Sequence, residues 1–146
     1  MTKISHNHLD SYQAVQDYII LCHALKEDMS KKDYSKECLK TYLQNKEFSL
    51  TVETMHQKKS FELNSLYTLS QAVAIVYESK SFEEVLRNTF YVGGDSDTLA
   101  TVACNLASIL YPIPQELMTI AELAMATNKE LYDLVLHFSE KYWIKF

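Results

Sequence analysis

Six consecutive residues concentrate donor atoms suited to chemistry. Gly93-Gly94-Asp95-Ser96-Asp97-Thr98 contains both glycines of the chain, two carboxylates two residues apart and two hydroxyls. Adjacent glycines open backbone φ angles closed to other residues and let the chain pass close to something else. The carboxylates of Asp95 and Asp97 and the hydroxyl of Thr98 are hard oxygen donors, which suit Mg²⁺ or Ca²⁺ far better than zinc. Ser and Asp ahead of an apolar helix also have the composition of an N-cap, with carboxylates favoured by the helix dipole. The two uses are compatible, because one Asp can cap while the other binds. Two carboxylates alone rarely hold a divalent ion, so a cation here needs further ligands.

Other reactive side chains are scattered. The three cysteines, Cys22, Cys38 and Cys104, are odd in number, far apart and without CxxC spacing, which argues against disulfides and structural zinc. His6 and His8 could chelate a metal, but histidines and cysteines are more often simply packed or exposed. Cys22 and His23 are adjacent and therefore point to different sides of a helix. Glu47 and Glu53 fall in a stretch from 45 to 63 without a helical or strand period, which reads as a long loop. They could approach the Asp95 region, although their spacing does not require it.

The surrounding elements read as helices. Two glycines and two prolines in 146 residues is far below ordinary usage and favours helix. Tyr34, Cys38, Leu39, Tyr42 and Leu43 form one apolar stripe, ended by the polar run from Gln44. Phe82, Val85, Leu86, Thr89 and Phe90 form a second, opened by the capping-box pair Ser81 and Glu84. Leu131, Leu134, Val135, Phe138 and Tyr142 form a third, capped by Asn128. Segments 10–26 and 64–79 are helical with less regular faces. Residues 99–111, LATVACNLASILY, carry no charge, and such a helix belongs at the centre of a domain. Its small side chains Ala100, Ala103, Cys104, Ala107 and Ser108 would admit another helix closely, and Pro112 and Pro114 end it. The expected fold is all-α, a single helical array over 1–146.

Composition narrows the function classes. Hydrophobic residues make up 47% and charged residues 23%, as in an ordinary globular chain, and no apolar run approaches a membrane span or a signal peptide. We therefore expect a cytoplasmic protein without a membrane partner. A net charge of −5, with Lys31-Lys32 and Lys58-Lys59 as the longest basic runs considered, excludes a nucleic-acid partner.

Gly93 to Ala100, GGDSDTLA, resembles the C-terminal signature of the ADP-ribosylglycohydrolases, the family of the dinitrogenase reductase-activating glycohydrolase. Upstream, SLYTLSQAVAIVYESKSFEEVLRNTFY from Ser65 to Tyr91 is similar to the helix, short break and helix that deliver those glycines in the family. Ser5-His6-Asn7-His8 resembles the His-Asn-His stretch that begins a mid-chain helix in many members. The resemblance runs colinearly over roughly residues 4 to 125 and concerns the C-terminal half of the family fold.

The resemblance implies an all-helical fold with a binuclear Mg²⁺ site, Mn²⁺ in some members, that binds ADP-ribose and assists hydrolysis of its bond to arginine, serine or another acceptor. By motif position, Asp95, Asp97 and Thr98 would be metal ligands and Gly93 and Gly94 the motif glycines. Family members draw their remaining ligands from an N-terminal Thr-Asp-Asp type motif, and this sequence has no Asp-Asp pair. Leu9-Asp10-Ser11 replaces the usual Pro-Glu-Gly, and Cys104, Ser108 and Pro112 stand where glycines are usual. The expectation is low metal occupancy in the isolated chain, catalytic residues left unassigned, and ADP-ribose or an ADP-ribosylated protein as partner. Self-association, or a complementary chain supplying the missing ligands, is expected with it. A non-catalytic binding or regulatory module that keeps the fold is the alternative.

Overall fold

The computed structural model describes residues 7–29, 36–46, 49–58 and 64–142, and among these the chain is helical without a strand. Eight helices follow in order: α1 Leu9–Met29, α2 Glu37–Asn45, α3 Val52–Lys58, α4 Ser65–Glu78, α5 Phe82–Val92, α6 Ser96–Leu110, α7 Gln115–Ala126 and α8 Lys129–Tyr142. The chain divides into two compact units, Met1–Pro112 and Ile113–Phe146.

The first unit is built around α4. Ala72, Val73, Ala74, Ile75 and Val76 are all fully buried, a run of five that covers every side of the helix. Asn64 caps its start, the side-chain oxygen accepting from the N–H groups of Leu66 at 2.9 Å and Tyr67 at 3.1 Å. The same side chain donates to Asp10 at 2.8 Å, and Ser11 and Ser65 pair their hydroxyls at 3.2 Å, so the starts of α1 and α4 are tied together. Helices α5 and α6 pack on α4 and on one another, contributing Val85, Thr89, Val92, Leu99, Ala103, Leu106 and Leu110 to the core. Leu39 of α2 and Leu21 and Leu25 of α1 close it from other sides. Lys46, just after α2, forms a 2.8 Å ion pair with Asp17 of α1.

A helix that ends inside a packed unit leaves carbonyl groups needing donors. At the end of α4 they come from Lys36, whose Nζ donates to the carbonyls of Val76 at 2.8 Å, Tyr77 at 3.0 Å and Ser79. Tyr111 donates its hydroxyl to the same Ser79 carbonyl at 2.7 Å, and the Lys36 ammonium lies 5.3 Å from the Tyr111 ring centre. Ser79 Oγ donates to Ile75 and accepts from Asn88 Nδ2 at 3.0 Å. Burial lowers the pKa of Lys36, against an opposing pull from Glu84. To reach this position Lys36 adopts a left-handed backbone, φ 52°.

Several expectations need correction. The stretch from 45 to 63 contains a helix, α3, where a loop was expected. Its seven residues are too few to show a period, and it is anchored by one buried side chain, Met55. Reciprocal hydroxyl bonds start it: Thr51 N–H donates to Thr54 Oγ1 at 2.9 Å and Thr54 N–H to Thr51 Oγ1 at 3.1 Å. Glu47 and Lys59 lie outside the described residues, as do Tyr34, His6 and Lys31-Lys32. Helix α6 is one-sided: Thr101, Asn105 and Ser108 are exposed, and the small-residue stripe is buried only at Ala103 and Ala107. The helix enclosed along its middle, from Leu69 to Val76, is α4. The Ser81 cap forms, accepting from Glu84 N–H at 3.1 Å, but the Glu84 carboxylate accepts from Lys80 N–H rather than from Ser81, one residue earlier than in a regular capping box.

The second unit is the pair α7 and α8, packed on each other. Asn128 caps α8 by accepting from Leu131 N–H at 3.2 Å. The stripe of α8 is helical as expected, but Leu131, Leu134, Phe138 and Tyr142 are exposed, and Ser139 is the one buried side chain among the described residues of this unit.

Replacing Lys36 by Met keeps the stem and removes three charge-assisted bonds to the end of α4. Urea unfolding is expected to show a loss of about 1–2 kcal/mol for Lys36→Met and about 0.5–1.5 kcal/mol for Tyr111→Phe.

Candidate functional site

The turn between α5 and α6 carries the candidate ligands. Helix α5 ends at Val92, and both following glycines have positive φ, 76° at Gly93 and 74° at Gly94. This is the left-handed region that L side chains rarely adopt. A Cβ built on Gly93 would meet nothing within 4 Å, so its glycine is required by backbone conformation and the expected close approach is not made there. The pair reverses the chain into α6, whose first backbone bond runs from Leu99 N–H to the Asp95 carbonyl at 3.0 Å.

Asp95 occupies the N-cap position of α6, yet its side chain accepts no capping bond. Asp97, in the first turn, is exposed and accepts from the Thr98 N–H at 2.9 Å. Its carboxyl is held below the usual carboxylate range, first by a side-chain hydrogen bond shared with Asp95 and then by the backbone N–H groups of Thr98 and of Asp97 itself. Both carboxylates therefore sit at the positive end of a helix, Asp95 half-buried and Asp97 exposed, and the Thr98 hydroxyl lies on the same turn. Capping in the ordinary sense explains neither. No three metal-ligating side chains of the His, Cys, Asp and Glu types converge among the described residues.

A second group adjoins the turn. The ring of His56, on α3, stacks on Tyr91 with centroids 3.9 Å apart and planes inclined by 12°. His56 Nδ1 lies 2.5 Å from the Tyr91 carbonyl oxygen, which makes Nδ1 the protonated nitrogen. The Tyr91 hydroxyl donates to Glu53 at 3.1 Å, an interaction that raises the pKa of the phenol. Tyr91 stands two residues before Gly93. Sequence reasoning singled out Glu53 but missed His56 and Tyr91; the Glu53-x-x-His56 spacing, which puts both on one helix face, was the available signal.

The first histidine among the described residues, His8, has a local role. His8 Nδ1 accepts from Asp10 N–H at 3.2 Å at the start of α1. Elsewhere an open groove of about 460 Å³ is lined by Cys22, Lys26, Asn105, Ser108 and Ile109. Asn105 lies eight residues along α6 from Asp97, about 12 Å away along the axis.

The ADP-ribosylglycohydrolase family model matches residues 1–142, nearly the whole chain. The chain belongs to the ADP-ribosylglycohydrolase family. No curated protein and no solved structure matches it. The all-helical structure is consistent with the helical ADP-ribosylglycohydrolase fold.

The Mg²⁺ implied by the ADP-ribosylglycohydrolases can be tested against this turn. The donors are hard oxygens, the lowered pKa of Asp97 favours its ionised form, and Asp97 and Thr98 are open to water, so the chemistry fits a divalent cation. Two carboxylates and a hydroxyl would leave most of its coordination to water or to groups from elsewhere.

Because the pKa of Asp97 is lowered, its ionised form persists until the pH falls through that depressed value. An NMR titration of the Asp97 carboxyl should give a midpoint below the ordinary value of about 3.9, and Asp95→Ala should move it upward. Gly94→Ala, forced to φ near +74°, should cost about 1–2 kcal/mol in urea unfolding.

Proposed function

We propose that this chain supplies the C-terminal metal ligands of an Mg²⁺- or Mn²⁺-dependent ADP-ribosyl hydrolase, completed by ligands from a second chain. The observation that carries the reading is the placement of half-buried Asp95 at the N-cap and exposed Asp97 in the first turn of α6, with no capping bond to the Asp95 side chain, within the family signature GGDSDT. Asp95, Asp97 and Thr98 would hold the cation, with Gly93 and Gly94 providing the backbone turn that presents them. A bound divalent ion at such a site can position ribose hydroxyls and lower the pKa of a water nucleophile.

The chain's own contribution is placement. The start of α6 favours negative charge, so two carboxylates can sit side by side there with less mutual repulsion. The substrate would be an ADP-ribosylated protein, and the product ADP-ribose. Support for a complementing chain comes from α6 itself: Thr101, Asn105 and Ser108 are exposed, with Asn105 also accepting from the Tyr18 hydroxyl of α1. The lack of a third convergent metal ligand among the described residues favours a second reading, a binding module that keeps the nucleotide-sugar fold without turnover.

The isolated chain is expected to show little or no release of ADP-ribose from ADP-ribosylated arginine and serine peptides in excess Mg²⁺ or Mn²⁺. Misplacement of reacting groups by about 1 Å already costs about 10²-fold. Robust turnover abolished by Asp95→Ala would make the chain a complete enzyme. Calorimetry with Mg²⁺ should give heat for the wild type that Asp97→Asn diminishes; equal heats would remove the site.

A further inference from the structure

We infer that Glu53, His56 and Tyr91 form a clamp that fixes the exit of α5 and thereby aims the Gly93–Asp97 turn. For its consequence at Asp95 and Asp97, this rests on the metal-site reading above. Tyr91 is 47% exposed and contributes little to the core, yet three interactions hold it. Its ring is stacked on His56, its carbonyl accepts from His56 Nδ1, and its hydroxyl donates to Glu53.

The carbonyl contact is the informative one. Tyr91 lies in the last turn of α5, where backbone carbonyls lack intrahelical donors. Most helices satisfy such groups by continuing the chain into a C-terminal motif that folds back over them. Here Gly93 and Gly94 turn the chain away into α6, and His56, from a separate helix, supplies the donor. Helix α3 is itself fixed at both ends of its role: Met55 is buried beneath it, and Val52 N–H donates to Glu78 Oε2 at 3.2 Å at the end of α4. The clamp therefore ties the last turn of α5 to the rigid core helix through α3. Two glycines with positive φ have no side chains to hold the turn themselves, so its direction depends on the last turn of α5, where Val92 is buried in the core and Tyr91 is held by α3. His56 and Glu53 are thus positioning residues, acting through Tyr91.

Two substitutions at His56 separate donor from stack. His56→Phe keeps an aromatic ring over Tyr91 and removes the N–H; His56→Asn removes the ring and keeps an amide donor at a position similar to Nδ1. Backbone ¹⁵N order parameters at Gly93–Asp97 are expected to fall in His56→Phe from the rigid value of about 0.85 to below about 0.6, and to remain near wild type in His56→Asn. Tyr91→Phe, which loses only the bond to Glu53, should give a smaller fall and serves if His56→Phe does not fold. Wild-type order parameters at the turn in His56→Phe, or in Tyr91→Phe where that variant stands in, overturn the clamp. So does an equal loss throughout α4 and α5, which would make the contact one of general stability. In parallel, calorimetry should show Mg²⁺ binding about 10-fold weaker in His56→Phe than in wild type. Absence of Mg²⁺ heat from the wild type would defeat the metal reading alone, because the order parameters test the clamp without metal.

Discussion

The organisation of the first unit depends on satisfying the carbonyl end of α4. The middle of that helix is enclosed on every side and Ser79 just past its end is buried, so the carbonyls of Val76 and Ser79 need donors from the protein, although Tyr77 and Glu78 are exposed. Lys36 reaches them with one ammonium while Tyr111, just past the end of α6, bonds to the same Ser79 carbonyl. One polar knot thus joins the approach to α2, the end of α4, the Asn88 side chain of α5 and the exit of α6. Helices that share no turn in sequence are held in register by it, and the position of the Asp95 turn relative to the core follows.

The same solution recurs at α5, where His56 donates to Tyr91. Both donors come from the segment between α1 and α4, the part of the unit with the shortest helices. Its work is to finish helices that lie elsewhere in the chain, and neither α2 nor α3 buries more than one side chain. Elements of this kind tend to open before the core does, because few apolar contacts hold them.

Much of the fold was legible in sequence because helix periodicity and caps are local. Ser81, Asn128 and the boundaries of α5 and α8 follow from residues within four positions of one another. Helix α3 escaped because seven residues with one buried anchor cannot display a period, and its starting bonds are a Thr-Thr exchange in place of a Ser-Glu box. The burial of α6 was overestimated because absence of charge was taken for burial, whereas Thr101, Asn105 and Ser108 are neutral and still face outward. At the candidate site, the glycine pair and the carboxylates were readable from spacing. The contacts of His56 with Tyr91, 35 positions away, have no local signal.

The tandem glycines carry a consequence for how this turn can vary. With open space beside Gly93, the constraint is one of handedness, because the backbone there takes the mirror image of the conformation natural to L-residues. A small side chain is therefore no better tolerated than a large one on grounds of fit, and drift in sequence is restrained by chirality where volume would permit it. At φ 76° and ψ −156° Gly93 lies in a region open essentially to glycine alone, so Asn and Asp, which enter the αL region more readily than other residues, gain no advantage there. The stereochemistry that protects Gly93 therefore bars a carboxylate as firmly as any other side chain, and with it an added negative charge two residues before Asp95.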